Sequence, residues 1–222
     1  AGKTTFVKLL MRLYDVTEGS ICYGGHDIRE YATKEYRNVI GAVFQDYQIY
    51  GATLAENVIM DRLQPGDRER AEHALKLADF EKKLSRLPEG LDSNMTKEFT
   101  EDGTMLSGGE SQKVAIARMF ARTDHLSIAI LDEPSSALDP LAEYKLNTNM
   151  MEQEKESTII FISHRLSTTK DADRIYMFEN GEIIEEGTHE ELMALGGQYA
   201  FMFEKQAHYY QDEIEEEQDS IH

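Results

Sequence analysis

The sequence predicts an α/β domain, a parallel sheet with a mostly helical segment inserted into it. Three observations carry this. Compact apolar runs at Val39–Phe44, Ile128–Leu131 and Thr158–Ile162 have the length and β-branched content of buried strands. Between the first two runs the pattern turns helical, from Leu54 to Arg86 and again from Ser111 to Arg122. Arg174–Phe178 and Glu182–Glu185 then flank Asn180-Gly181, a pair that favours a two-residue hairpin turn.

The other elements follow in order. Phe6, Val7, Leu9, Leu10 and Leu13 recur at helical spacing, so the segment after Lys3 is a helix. A short strand is expected near Ser20–Tyr23, with Gly24-Gly25 as its turn. Leu75, Leu77, Ala78 and Phe80 supply the apolar positions of the helical middle, and Pro65-Gly66 and Pro88-Glu89-Gly90 break it. The expected organisation is a sheet core over about 1–50 and 123–205, with a helical part over about 51–122. Residues 206–222 form an acidic tail containing Asp212-Glu213-Ile214-Glu215-Glu216-Glu217.

Composition narrows the function classes. The chain has 222 residues, enough for one α/β domain with its own core. Its 42 acidic against 23 basic residues give a net charge of −19. Such a surface argues against nucleic acid or anionic lipid as a direct partner, though not against a small polyanion held locally. The single cysteine, Cys22, excludes an intrachain disulfide and fits a reducing compartment. No apolar stretch is long enough to cross a bilayer.

Three motifs point to phosphate chemistry. Gly2-Lys3-Thr4 ahead of a helix looks like the second half of a phosphate-binding loop. There Lys3 would reach the terminal phosphates and the Thr4 hydroxyl would ligate Mg²⁺. Leu126–Leu131 followed by Asp132-Glu133 delivers two acids at the end of a buried strand, where open α/β sheets place their ligands. Asp132 suits Mg²⁺ held through water, and Glu133 suits polarising an attacking water. Ser107-Gly108-Gly109 offers a hydroxyl and a closely approachable backbone at the start of the Ser111–Arg122 helix.

Leu106-Ser107-Gly108-Gly109-Glu110, continued by Ser111-Gln112-Lys113-Val114-Ala115-Ile116-Ala117-Arg118, resembles the signature of the ABC ATPase family. That signature reads LSGGQ, so Glu110 departs from it at the last position. The resemblance runs over nearly the whole chain. It implies a P-loop NTPase fold, RecA-like, with a helical signature subdomain and with its first strands and the front of the P-loop lying before Ala1. It also implies ATP and Mg²⁺ as ligands. Nucleotide would be bound by Gly2, Lys3, Thr4 and Thr5, by Gln45 after the strand Val39–Phe44, and by Ser107, Gly108, Gly109 and Glu110. Thr4, Gln45 and Asp132 would hold the metal, and Glu133 and His164 would carry hydrolysis. Ser136-Ala137-Leu138-Asp139 resembles the loop that reaches across a dimer, which brings Asp139 to nucleotide. Glu101 resembles the acid that exporters carry before the signature, although Thr100 replaces the usual glycine.

The family mechanism this implies is a head-to-tail pair of ATPase domains, homo- or heterodimeric, with ATP clamped between them. The transmembrane domain would be fused upstream, and the ATPase would sit at the cytoplasmic face of the membrane. The wording around His164 and Gly187-Thr188-His189-Glu190-Glu191-Leu192 resembles exporters; a separate importer ATPase subunit is the alternative. The ABC-like ATPases of chromosome organisation insert a long coiled coil before the signature, and no heptad pattern occurs here. A regulatory copy is disfavoured by the intact Asp132, Glu133 and His164. With the front of the P-loop outside the chain, weak nucleotide binding is expected of the chain alone, and exposed sheet edges are expected to weaken its folding.

Overall fold

The structure, a computed structural model, describes residues 2–96, 103–122, 126–134, 138, 140–153, 157–164 and 166–207. In chain order these contain α1 (Lys3–Leu10), β1 (Cys22–Tyr23), β2 (His26–Asp27), α2 (Thr33–Asn38), β3 (Ile40–Val43), α3 (Leu54–Ile59), α4 (Asp67–Leu77) and α5 (Glu81–Leu84). There follow α6 (Gly108–Phe120), β4 (Ile128–Asp132), α7 (Pro140–Gln153), β5 (Thr158–Ile162), β6 (Ile175–Glu179), β7 (Glu182–Gly187) and α8 (His189–Leu195). Residues 198–207 are also helical. The chain divides into two units, Asp15–Ile162 and the described residues before 15 and after 162.

In the larger unit β3, β4 and β5 form a parallel sheet with β4 in the middle. Register runs from Ile40 opposite Ile128 to Val43 opposite Leu131 on one side. On the other it runs from Ile128 opposite Thr158 to Asp132 opposite Ile162. Successive residues of β4 face opposite sides of the sheet. Ala129, Ile130 and Leu131 are nonetheless all fully buried, which is why this strand reads as an unbroken apolar run. The strand expected near Ser20–Tyr23 is a two-residue ribbon, β1 paired antiparallel with β2.

The helical segment packs through α6. Val114, Ile116, Ala117, Met119 and Phe120 share one cluster with Leu54, Val58, Leu75, Val43 and Leu131. This helix begins at Gly108, three residues before the start that the apolar spacing implies. The cause is a capping box. Ser107 Oγ accepts the Glu110 N–H at 3.3 Å, and the Glu110 carboxylate accepts the Ser107 N–H at 2.8 Å. The segment 54–86 is three short helices, divided at the expected Pro65-Gly66 break and again at Asp79. Gly66 (φ 91°) and Asp79 (φ 57°) take left-handed backbone at the two breaks. Asp79 is held there by Lys113 of α6 at 2.9 Å and Lys145 of α7 at 3.1 Å. Burial pushes the Asp79 carboxyl up, but the two lysines outweigh it and leave it below its usual range.

In the smaller unit β6 and β7 pair antiparallel around Asn180 (φ 50°) and Gly181 (φ 89°), both left-handed as a type I′ turn requires. Leu166, Ile175, Leu192 and Tyr199 form its core, with Met177, Met202 and Phe203 against them. Tyr199 is fully buried, and its hydroxyl finds Thr169 Oγ1 at 2.8 Å and His189 Nδ1 at 2.9 Å. Residues 198–207 are thereby tied to α8 and to the segment after β5 in sequence.

Leu131→Ala should cost about 2–5 kcal/mol, since it empties a fully buried position on a central strand. Urea unfolding of the chain measures this, and a loss below about 1 kcal/mol would contradict the central place of β4.

Candidate nucleotide-binding site

In the smaller unit Gly2 precedes α1 with φ 114°, and its carbonyl accepts the Phe6 N–H at 2.9 Å. A Cβ at Gly2 would also lie 3.1 Å from the Cα of Gly181 in the hairpin turn. Backbone conformation and space therefore both require glycine. Lys3, Thr4 and Thr5 fill the first turn of α1, where backbone N–H groups have no intrahelical acceptor and the dipole favours an anion. Thr4 and Thr5 are exposed, and no acidic side chain occupies that turn. Val7 is fully buried, and Phe6 packs on Phe178 with ring centroids 5.9 Å apart, which fixes the helix start beside the hairpin. His164 is exposed in the same unit, and its carbonyl accepts a hydrogen bond from Gln206 Nε2 at 2.6 Å.

In the larger unit the parallel sheet brings three predicted residues to its carboxyl edge. Val43 is opposite Leu131, and two residues further along each strand direction stand Gln45 and Glu133. Asp132 is the last residue of β4. Glu133 turns into left-handed backbone, φ 51°, a conformation that a side chain with a Cβ rarely adopts. Both of its backbone polar groups are engaged. Its N–H donates to Ile162 O at 2.8 Å, and its C=O accepts from the buried Gln112 Nε2 at 3.3 Å.

The signature residues lie at the start of α6. Ser107 is the N-cap, and Gly108, Gly109 and Glu110 make the first turn, so the glycines present helix N–H groups as well as an open backbone. A Cβ at Gly108 would meet nothing within 4 Å. Tyr47, two residues after Gln45, donates its hydroxyl to Gly108 O at 2.8 Å. Arg118, further along α6, donates to Gln48 O at 2.6 Å and to Asn57 O at 2.7 Å. The segment that carries Gln45 and the helix that carries the signature are thus laced together. Asp139, Ser136, Ala137 and Glu101 lie outside the described residues.

The donor set suits Mg²⁺. Among the described residues no three His, Cys, Asp or Glu side chains gather as a metal cage. Mg²⁺ is instead held by one or two carboxylates together with phosphate oxygens and water. Within the larger unit Asp132 offers a carboxylate and Gln45 an amide oxygen at the same sheet edge.

Tyr47, Gln112, Arg118 and Gln206 were not anticipated. Each is a polar residue whose partner is far away in sequence, and its own segment carries no pattern that marks it. Gln112 alone had a signal, because it occupies an inward position of an amphipathic helix otherwise lined by Val114, Ala115 and Ile116.

Comparison with known proteins shows the class to which this fold belongs. The sequence profile described as ABC transporter matches residues 1–136, so the chain belongs to the ABC transporter family. It is 39% identical over 206 residues to an ATP-dependent lipid A-core flippase of Salmonella paratyphi A, covering 93% of this chain and 34% of that protein. It is 40% identical over 202 residues to a putative multidrug export ATP-binding/permease protein of Staphylococcus aureus, covering 91% of this chain and 34% of that one. A solved bacterial Atm1-family ABC exporter with ATP bound superposes with a TM-score of 0.84 at 35% identity, over 93% of this chain and 35% of the exporter. The chain therefore spans about a third of the length of these relatives.

Glu110 yields a test of the signature turn. Burial pushes its carboxyl up, but the Ser107 amide and Lys83 at 3.0 Å outweigh that and hold it below the usual carboxylate range. A folded-state pKa that is lowered adds stability above the unfolded value of about 4.3, and that stability is lost as pH falls through the folded value. Glu110→Ala should cost about 1 kcal/mol at pH 7. Glu110→Gln, which keeps the acceptor but loses the charge, should cost less, and its deficit should shrink below about pH 4. Urea unfolding at the two pH values checks this; a deficit that does not change with pH would remove the Lys83 pairing from the account.

Proposed function

We propose that this chain is the ATP-binding and ATP-hydrolysing part of an export-type ABC transporter. The observation that carries the reading is the carboxyl edge of the parallel sheet. There Glu133 is held in a left-handed backbone directly after Asp132, and Gln45 follows β3 two residues past Val43, which pairs with Leu131. Holding a side chain at φ 51° costs on the order of 1–3 kcal/mol, and such strain concentrates at functional sites.

The roles follow from the chemistry. Lys3 and the first-turn amides of α1, including those of Thr4 and Thr5, receive phosphate. Thr4, Gln45 and Asp132 supply oxygen to Mg²⁺, which when bound neutralises charge on the phosphates. Glu133 accepts the proton of the attacking water, and His164 contacts the terminal phosphate. Ser107, Gly108 and Gly109 present a hydroxyl and helix amides to a nucleotide held by a second ATPase domain, with Asp139 reaching toward the same junction. Glu110, whose carboxylate is engaged by Ser107 and Lys83, supports that turn from behind. ATP then acts as a ligand of the closed pair, and its hydrolysis releases it.

Export, as opposed to import, is supported by relatives whose names describe a lipid flippase and multidrug export, and by the ATP-bound exporter structure. By the same reasoning the transmembrane domain is part of the same polypeptide in the complete protein, and this part lies at the cytoplasmic face of the membrane. No helix among the described residues is long and apolar enough to cross a membrane.

Glu133→Gln in the full-length protein should keep ATP binding and lower turnover by at least about a hundredfold, the typical contribution of a positioned general base. Phosphate release under saturating ATP, alongside nucleotide binding, measures this. Turnover equal to the wild type would remove Glu133 from the mechanism.

A further inference from the structure

The smaller unit holds an arrangement that the proposed reaction does not by itself account for. Gln206 lies near the end of the helix formed by residues 198–207, at the boundary of what the composition marks as an acidic tail. Its carboxamide bridges two backbone groups that flank Arg165. Nε2 donates to His164 O at 2.6 Å, and Oε1 accepts the Leu166 N–H at 2.9 Å. A carbonyl on one side and an N–H on the other fix which end of the amide is which, so the two contacts are mutually consistent.

We propose that Gln206 is a positioning residue for His164. Holding the carbonyl of residue 164 fixes the orientation of the peptide plane that follows the His164 Cα, and with it the direction in which the His164 side chain leaves the backbone. The restraint is effective because both sides of it are anchored. Leu166 is buried in the core of the unit, which also holds Tyr199 of the 198–207 helix. That helix is secured at its start, where the Glu185 carboxylate accepts the amides of Gln198 at 2.5 Å and Tyr199 at 2.9 Å. It is secured again midway, where Phe203 packs on His189 with ring centroids 4.8 Å apart. Gln206 is therefore a fixed point, and the exposed His164 segment is the part that it holds.

This inference rests on the reading of His164 as the group that contacts the terminal phosphate, and the test separates the two. Three variants are made in the full-length protein: Gln206→Leu, which removes both contacts, Gln206→Glu, which keeps the Leu166 acceptor and loses the donor to His164, and His164→Ala. A misdirected group near reacting atoms costs on the order of ten- to a hundredfold in rate. Gln206→Leu and Gln206→Glu should both lower kcat by about tenfold or more while KM for ATP stays within about twofold. Placed on His164→Ala, Gln206→Leu should add no further loss. Amide exchange at Leu166 should speed up in Gln206→Leu and not in Gln206→Glu. If His164→Ala hydrolyses ATP like the wild type, the reading of His164 fails. If His164→Ala is impaired but both Gln206 variants turn over within about twofold of wild type, the positioning role alone is overturned. It is equally overturned if Gln206→Leu costs as much without His164 as with it.

Discussion

Parallel pairing of β4 between β3 and β5 is the constraint on which the rest of the molecule depends. Parallel strands all run the same way, so their carboxyl ends share one edge, and residues just beyond that edge come from segments far apart in sequence. Here they are Gln45 after β3 and Asp132 and Glu133 at the end of β4. The ladder continues one bond past β4, from Glu133 N–H to Ile162 O, while the backbone of Glu133 already turns into the left-handed region. Such a conformation persists only where neighbours over-determine it. The buried Gln112 completes that enclosure from the α6 side.

Helix α6 converts this edge into a two-ended device. Its N-terminus carries the signature turn, locked by the reciprocal Ser107–Glu110 cap. Its first half reaches Glu133 through Gln112 and reaches Asp79 through Lys113. Its second half grips the segment after Gln45 through Arg118, whose guanidinium also lies 5.6 Å from the centre of the Tyr50 ring. Arg118 suits this place because a planar guanidinium satisfies several carbonyls at once and keeps its charge although burial lowers its pKa. The hydrogen bond from Tyr47 to Gly108 O ties the segment after Gln45 to the signature turn as well. In the proposed reaction those two places serve different nucleotides, so this lacing supplies a physical link between them.

Much of the fold was legible in the residues themselves. β5 has the bounds expected from Thr158–Ile162, and β3 and β4 lie within a residue or two of their apolar runs. The Asn180-Gly181 hairpin formed because only such residues take its two positive φ angles at low cost. The start of α6 was misplaced because apolar spacing reports the buried face of a helix, whereas a polar cap decides where it begins. The breaks at Gly66 and Asp79 differ in the same sense. Glycine announces a left-handed residue, but Asp79 takes that conformation where Lys113 and Lys145 hold its carboxylate.

The sequence by itself determined the strand and helix types and singled out the motifs proposed to carry phosphate chemistry. These depend on local period, turn preference and short motifs, which are properties of neighbouring residues. Only the tertiary structure decided which backbone groups are held by Gln112, Tyr47, Arg118 and Gln206. Their partners lie 21, 61, 70 and 42 residues away, at Glu133, Gly108, Gln48 and His164. A hydrogen bond across such a separation leaves no periodic trace in the chain, because it is set by where packing brings two segments and not by what lies beside either one.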